Sequence, residues 1–363
     1  MAGEPVTILC SGVTLGVYVP ALILDSRLRK LGLSTDVVVF ESLLVPGKRE
    51  KIPEMKRAYH HNFSFALMAR KLSTGNNRRF LDQPCVSALL EKWKSRKRRR
   101  FIIWSGFWMP IIEQYLEEVN FDLSIHILNV DAVVMNSFKP YQFKHPFYRF
   151  VFLFDWEKQR LPYRLWVSDD RVLAYQKRAD RFLVHGGGWG IGTYKEKIPE
   201  LKDLRMNLDI IAYEKGDIET PGNGNRYFLI DPKWKPWEKN RAGFHEFPPF
   251  GEMTGNRKIE FKNNPWFPEV YRLVRHNKAI ISKPGGGTLI DSISAATPVI
   301  FLEPFGDGEK KNAQLFEHLG FGISYRRWID SGCSFEILEK LHTNILKHRS
   351  TLKDYAGELY HAA

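Results

Sequence analysis

"SKPGGGTLIDSISAATPVIFLEP", residues 282–304, decides how this chain is read. Three consecutive glycines, Gly285, Gly286 and Gly287, stand between Pro284 and Thr288, a helix-like run follows to Ala296, and after Pro298 an apolar strand resumes. A glycine loop that ends a strand and opens a helix leaves main-chain N–H groups unpaired beside a partial positive charge, which suits an anion such as phosphate. A tight strand-to-helix turn with no ligand accounts for the glycines equally well. The neighbouring sequence has to choose.

Working outward, "KAIIS" (278–282) reads as the strand before this loop and "WFPEVYRLVRH" (266–276) as a helix. In "DRFLVHGGGWGIGTYKEKIPEL" (180–201), strand, glycine loop and helix recur, with glycines at 186, 187, 188, 190 and 192, and "NLDIIAY" and "RYFLID" add two strands. The N-terminal half follows the same plan. "VTILC" (6–10) stops at Ser11-Gly12, an amphipathic stretch runs from Pro20 to Leu31, and "TDVVVFE" follows. "RRRFIIW" precedes the periodic "MPIIEQYLEEV", and "FDLSIHIL" precedes "DAVVMNSF". Such alternation predicts parallel sheets covered by helices on both faces. The fold expected is α/β, with two doubly wound Rossmann-like domains facing across a cleft. All three glycine loops then lie beyond the carboxyl ends of strands, where ligands bind in such sheets. The aromatic, proline-punctuated region 140–178 reads as the connection, which gives expected units of 1–178, 179–345 and a last helix, 346–363, packing back on the first.

Composition agrees with this plan. At 363 residues the chain exceeds what one core usually holds, and 44% hydrophobic with 26% charged residues describes a folded globular protein. The net charge of +13 owes much to "KWKSRKRRR" (92–100), which reads as a solvated helix end. No zinc finger or aromatic-interleaved RNA motif accompanies it, so nucleic acid is not an expected partner. "FIIWSGFWMPII" (101–112) reads either as a basic-plus-aromatic contact with a membrane surface or as a buried strand entering a helix. No apolar run approaches the roughly 20 residues of a spanning helix, and the start lacks a basic leader; a soluble, cytoplasmic protein is expected. Cys10, Cys85 and Cys333 are isolated and read as free thiols. No His and Cys cluster has metal-ligand spacing, Asp169-Asp170 reads as a helix cap or solvated turn, and neither G-x-G-x-x-G nor a P-loop occurs.

The ordered set Lys283-Pro-Gly-Gly-Gly-Thr288, Asp291, "TPVIFLEP" and Asn312-Ala313 resembles two-domain glycosyltransferases of the GT-B fold. It is similar to UDP-glycosyltransferases and to the bacterial lipid-linked N-acetylglucosaminyl transferase of peptidoglycan synthesis. The resemblance is strongest over residues 180–325 and weaker over 6–40. It implies an inverting, metal-independent transferase that moves a sugar from a nucleotide-diphosphate sugar, with UDP the expected nucleotide. The acceptor would be a small molecule, such as a natural product or a cell-surface precursor, held by the N-terminal domain. It needs no cofactor. Backbone donors of Gly286, Gly287 and Thr288, with the Thr288 hydroxyl, would cradle the diphosphate. Asp291, one turn on, would accept ribose hydroxyls, although the family usually has the longer Glu there. Lys283 stands where relatives often have His and would neutralise phosphate. Glu309, or Asp307, would reach sugar hydroxyls near Asn312. Gly187, Gly188 and Trp189 of the second loop, and Gly12, Gly16 and Gly285, complete the expected donor site.

Where these relatives commonly read Gly-His-x-x-Pro, with His as the base, this chain reads Gly16-Val17-Tyr18-Val19-Pro20. Valine takes no proton. The candidates left for the base are His60 and His61 in "AYHHNFSF", His126 on "SIHIL", and Asp131. The alternatives are an acceptor that ionises by itself, a nucleotide-sugar epimerase of the same architecture, or a non-catalytic nucleotide-sugar-binding partner.

Overall fold

A computed structural model describes residues 4–72, 78–219, 224–254 and 258–362. The N-terminal sheet holds β1 (Val6–Cys10), β2 (Thr35–Val39), β3 (Arg100–Ile103), β4 (Ser124–Asn129) and β5 (Tyr148–Phe152), ordered β2-β1-β3-β4-β5 and parallel throughout. After the short β6 (Tyr163–Arg164) comes a second sheet of β7 (Ala179–His185), β8 (Leu208–Ala212), β9 (Arg226–Ile230), β10 (Phe250–Glu252), β11 (Asn277–Ser282), β12 (Val299–Phe301) and β13 (Gly322–Ser324). Its order is β10-β9-β8-β7-β11-β12-β13, and β10, on the edge, is antiparallel. All five residues of β1 and all six of β11 are buried, because helices cover both faces, and this explains continuous apolar runs rather than alternation.

From β7 the chain winds outward to β8 and β9, then returns to place β11 on the other side of β7. The β7–β11 crevice is therefore a topological switch point, where α/β sheets bind ligands. In the N-terminal sheet β1 plays the same part between β2 and β3.

Helix Leu15–Lys30, after β1, packs against helix Gly286–Ala295, after β11. Val17, Ala21, Leu289, Ile290 and Ile293 join one buried cluster that spans both sheets. At about 1.5–3 kcal/mol per buried aliphatic side chain, this contact holds the halves together as well as an ordinary core would.

Several expectations change here. The region 140–178 is not all connection, since "YRFVF" forms β5 and extends the sheet beside β4. Asp169 pairs with Arg27 and Lys30, and Asp170 with Arg275, so this acidic pair ties the connecting segment to both halves. Trp104 and Trp108 are fully buried, so the tryptophans of "FIIWSGFWMPII" are core, while the half-buried Phe107 lines the cleft. Within "KWKSRKRRR", Arg98 is buried and faces Asp36. "DAVVMNSF" is irregular loop.

The C-terminus returns to the first sheet. β14 (Lys353–Asp354) pairs with β6, Arg100 donates to the Leu359 carbonyl at 3.3 Å, and helix Tyr355–His361 lies against helix Leu15–Lys30. Among the described residues no helix is long and apolar enough to cross a membrane, and no group of three His, Cys, Asp or Glu side chains is placed to hold a metal ion.

Candidate functional site

A cleft of about 1440 Å³ opens where the carboxyl ends of the two sheets face each other. On the C-terminal side it is walled by the loop after β11. Gly285 caps helix Gly286–Ala295 in an extended conformation, and the first intrahelical bond runs from Leu289 N–H to the Gly285 carbonyl at 3.2 Å. The amides of Gly286, Gly287 and Thr288 thus lack helical acceptors. None of the three glycines needs a positive φ. Gly286 is required for another reason: a Cβ there would collide with the Val130 carbonyl of the N-terminal half. At Gly287 a Cβ would rest 3.6 Å from the Gly16 Cα, an ordinary contact.

Asp291 lines the cleft one turn beyond Thr288. It has no hydrogen bond or ion pair among the described residues, and burial pushes its carboxyl up to about 7. Ligand hydroxyls donating to it would favour the carboxylate and lower that value.

Lys283 and Asn312 occupy the expected place but are already engaged. The Lys283 ammonium pairs with Glu309, whose other oxygen accepts Phe305 N–H at 2.6 Å, so this lysine brings no net charge to a phosphate, and Glu309 is spent on protein partners. Asn312 is fully buried; its Oδ1 accepts Ala132 N–H at 2.7 Å and its Nδ2 donates to Asp131 and to the Pro284 carbonyl, each at 2.9 Å. It clasps the loop after β4 to the loop after β11 and is no ligand contact. Asp307 lines the cleft at the start of helix Asp307–His318.

On the opposite wall, the loop after β1 is occupied from within. Glu41, completely buried, accepts the Ser11 hydroxyl at 2.6 Å, Gly12 N–H at 2.6 Å and Val13 N–H at 3.2 Å. Burial raises its carboxyl, and the bonds from Ser11 and Gly12 pull it back. Gly12 therefore binds a side chain instead of a donor sugar, and its close approach is to Pro236. Gly16 does line the cleft.

The β7 loop is pressed onto the N-terminal half. Gly187 and Gly190 have φ values of +73° and +57°, and a Cβ at Gly188 would come within 2.5 Å of Leu15. Trp189 donates its indole N–H to the Val13 carbonyl and lies 5.4 Å from the Tyr59 ring, closing the interface as well as lining the cleft.

Three of the four base candidates lie away from the cleft. His126 meets the Tyr355 hydroxyl at 2.8 Å on the C-terminal-helix side of β4, and burial with Arg149 and Arg100 pushes it down to about 4. His60 is buried, its Nδ1 on the Gly190 carbonyl at 2.8 Å and its Nε2 between Asp217 and Lys195, and His61 pairs with Glu214. These two histidines latch helix Ile52–His61 to the segment after β8. Asp131 alone of the four lines the cleft, where it holds the Asn312 amide and lies against Gly308. Val17 is buried at the start of its helix, as a non-catalytic residue would be.

Sequence reasoning missed Glu41 and His185. His185 ends β7, lines the cleft, and was legible only as the residue before a glycine run. The apolar end of the cleft, with Phe40, Leu44, Ile52, Met55, Val134 and Met135, also had no local signature.

No protein-family model matches the chain. Over 77 residues it is 34% identical to a processive diacylglycerol beta-glucosyltransferase of Staphylococcus epidermidis, which is 20% of each chain. Over 85 residues it is 35% identical to the protein of that description from Bacillus pumilus, which is 23% of this chain and 20% of the relative. The chain thus matches about a fifth of the length of these curated relatives. Among solved structures, Acinetobacter baumannii MurG has a TM-score of 0.53 at 12% identity, over 99% of both chains. A Streptomyces sp. SF2575 glycosyltransferase has a TM-score of 0.54 at 11% identity over 99% of both, and its complex with thymidine diphosphate has 0.51 at 12% over 99% and 100%. The chain has the GT-B fold of these glycosyltransferases, two doubly wound domains facing across a cleft.

Proposed function

We propose that this protein is an inverting glycosyltransferase that uses a nucleotide-diphosphate sugar, with UDP as the nucleotide. The observation that carries this reading is the pairing, in one cleft, of helix N-terminal amides at Gly286, Gly287 and Thr288 that lack helical acceptors with Asp291 one turn on, which has no hydrogen bond or ion pair among the described residues. The first suits a diphosphate and the second a ribose diol. The match to diacylglycerol glucosyltransferases and the thymidine diphosphate complex of a structural neighbour support it.

In the reaction an acceptor oxygen forms its bond to the anomeric carbon from the N-terminal side, the bond to the diphosphate breaks, and Asp131 takes the acceptor proton. Charge that develops on the leaving diphosphate meets the helix amides, so this reading calls for no divalent cation. The apolar end of the cleft suits an acceptor with a hydrocarbon or aromatic body. Phe143, 92% exposed, and the exposed Met68 stand next in sequence to the cleft-lining Lys144 and Leu67, and the exposed Phe65 lies two residues from Leu67. We place an acceptor delivered from a lipid surface at this mouth.

The test is nucleoside diphosphate release from UDP-, TDP- and GDP-sugars, with and without diacylglycerol in mixed micelles or a phenolic acceptor. Release that depends on acceptor supports transfer. A sugar stereoisomer still joined to nucleotide would instead make this an epimerase, and binding without either reaction would make it a binding partner that has lost its base.

A further inference from the structure

We propose that His185 recognises the sugar donor by hydrogen-bonding its diphosphate through Nε2–H, an assignment that rests on the donor site proposed above. His185 is the last residue of β7 and lies directly opposite Ser282 of β11, so it stands at the switch point beside the loop that opens helix Gly286–Ala295. Gly187 N–H points at its Nδ1 at 3.0 Å. A backbone N–H only donates, so Nδ1 must carry the lone pair, and the proton of the neutral ring sits on Nε2. The Ser282 hydroxyl, 3.4 Å from Nδ1, lies on the same side.

Burial and the nearby Lys283 ammonium push the imidazole down to about 4, which keeps it neutral at neutral pH. Its Nε2 meets no hydrogen-bonding group among the described residues, while the ring lines the cleft. With Lys283 held by Glu309, the end of the cleft beside helix Gly286–Ala295 presents an anion with the helix amides and this imidazole N–H, while Lys48, Lys139 and Lys144 line other parts of the cleft. The half-buried ring lines the same cleft as those amides, and diphosphate oxygens would supply the acceptor its N–H lacks.

Two substitutions separate this role from support of the glycine loop. In His185→Asn the amide oxygen still accepts Gly187 N–H, but the side chain ends short of Nε2; in His185→Gln the amide NH₂ reaches the Nε2 position. Calorimetric titration of the whole chain with UDP, TDP, GDP and the matching nucleosides is expected to show His185→Asn about tenfold weaker for the diphosphate that binds, with its nucleoside unaffected. His185→Gln is expected within about threefold of the parent. Equal diphosphate affinity in His185→Asn and the parent protein, or equal weakening of diphosphate and nucleoside, overturns the assignment and leaves the donor site standing. No diphosphate binding by the parent protein overturns both. If His185→Asn does not fold, the His185 ring NH resonance of the parent protein decides: a downfield move on adding UDP supports the bond, and an unchanged resonance overturns it.

Discussion

The loop after β1, Ser11–Thr14, and the loop after β11, Lys283–Gly285, each lead from a buried parallel strand into a helix, yet they differ in what their polar groups meet. The first turns Gly12 and Val13 amides and the Ser11 hydroxyl onto Glu41, a carboxylate about 30 residues away that fills the place an anionic ligand would take. The second opens a helix whose first three amides meet no helical acceptor and whose Asp291, with no hydrogen bond or ion pair among the described residues, lines the cleft. A glycine loop is therefore a donor site only where the protein has not already supplied the anion. On the function proposed above, the donor belongs to the C-terminal half, and the N-terminal loop, closed on Glu41, is wall.

The largest effect falls between the two loops. Asp131→Asn is expected to lower kcat by about 100- to 10,000-fold with little change in nucleotide affinity, as loss of a general base would. Near-normal turnover would move the base elsewhere. Glu41→Ala tests the filled loop: three donors lose their acceptor, and stability should drop by about 3–5 kcal/mol in urea unfolding. A loss below about 1 kcal/mol would mean that water satisfies the loop and that it is as open as its counterpart.

Asp291 tests the open loop. Asp291→Ala should weaken nucleoside diphosphate binding by about 1–3 kcal/mol by calorimetry. Its pH dependence has a definite sign. The free carboxyl is raised to about 7, so between the unfolded value and 7 the native state holds more protons, and this group makes stability fall as pH rises through that window. Binding favours the carboxylate, so nucleotide affinity should rise with pH and be about tenfold weaker at pH 6 than at pH 8, a difference absent in Asp291→Asn. Thermal melts from pH 4 to 8 check the first slope and calorimetry the second.

The smallest contrast lies within one loop. Gly286→Ala should cost about 1–3 kcal/mol because its Cβ meets the Val130 carbonyl, whereas Gly287→Ala should stay within about 0.5 kcal/mol. Equal losses would mean that the two halves do not approach as closely as Gly286 indicates.

What the sequence alone determined was local in origin. "VTILC", "KAIIS" and "PVIFLEP" read as strands because buried parallel strands are runs of apolar and β-branched residues, and Ser282–Ala296 read as strand, loop and helix because glycine, threonine and a downstream proline punctuate those states over a few residues. Asp291 in the cleft was legible for the same reason, since three residues is one helical turn. Only the tertiary structure decided which polar groups were still free. Asn312 finds Ala132 180 residues away, Glu41 finds Gly12 across 29, and His126 finds Tyr355 across 229, and no short-range periodicity carries such pairings. A hydrogen bond satisfied by a distant partner is spent, so Gly12, Lys283, Glu309, Asn312 and the three histidines looked available in the sequence and are engaged in the fold. His185 ran the other way: its neighbour Gly187 fixes the tautomer, and packing of β7 beside β11 turns a residue that reads as a strand end into a donor facing the cleft.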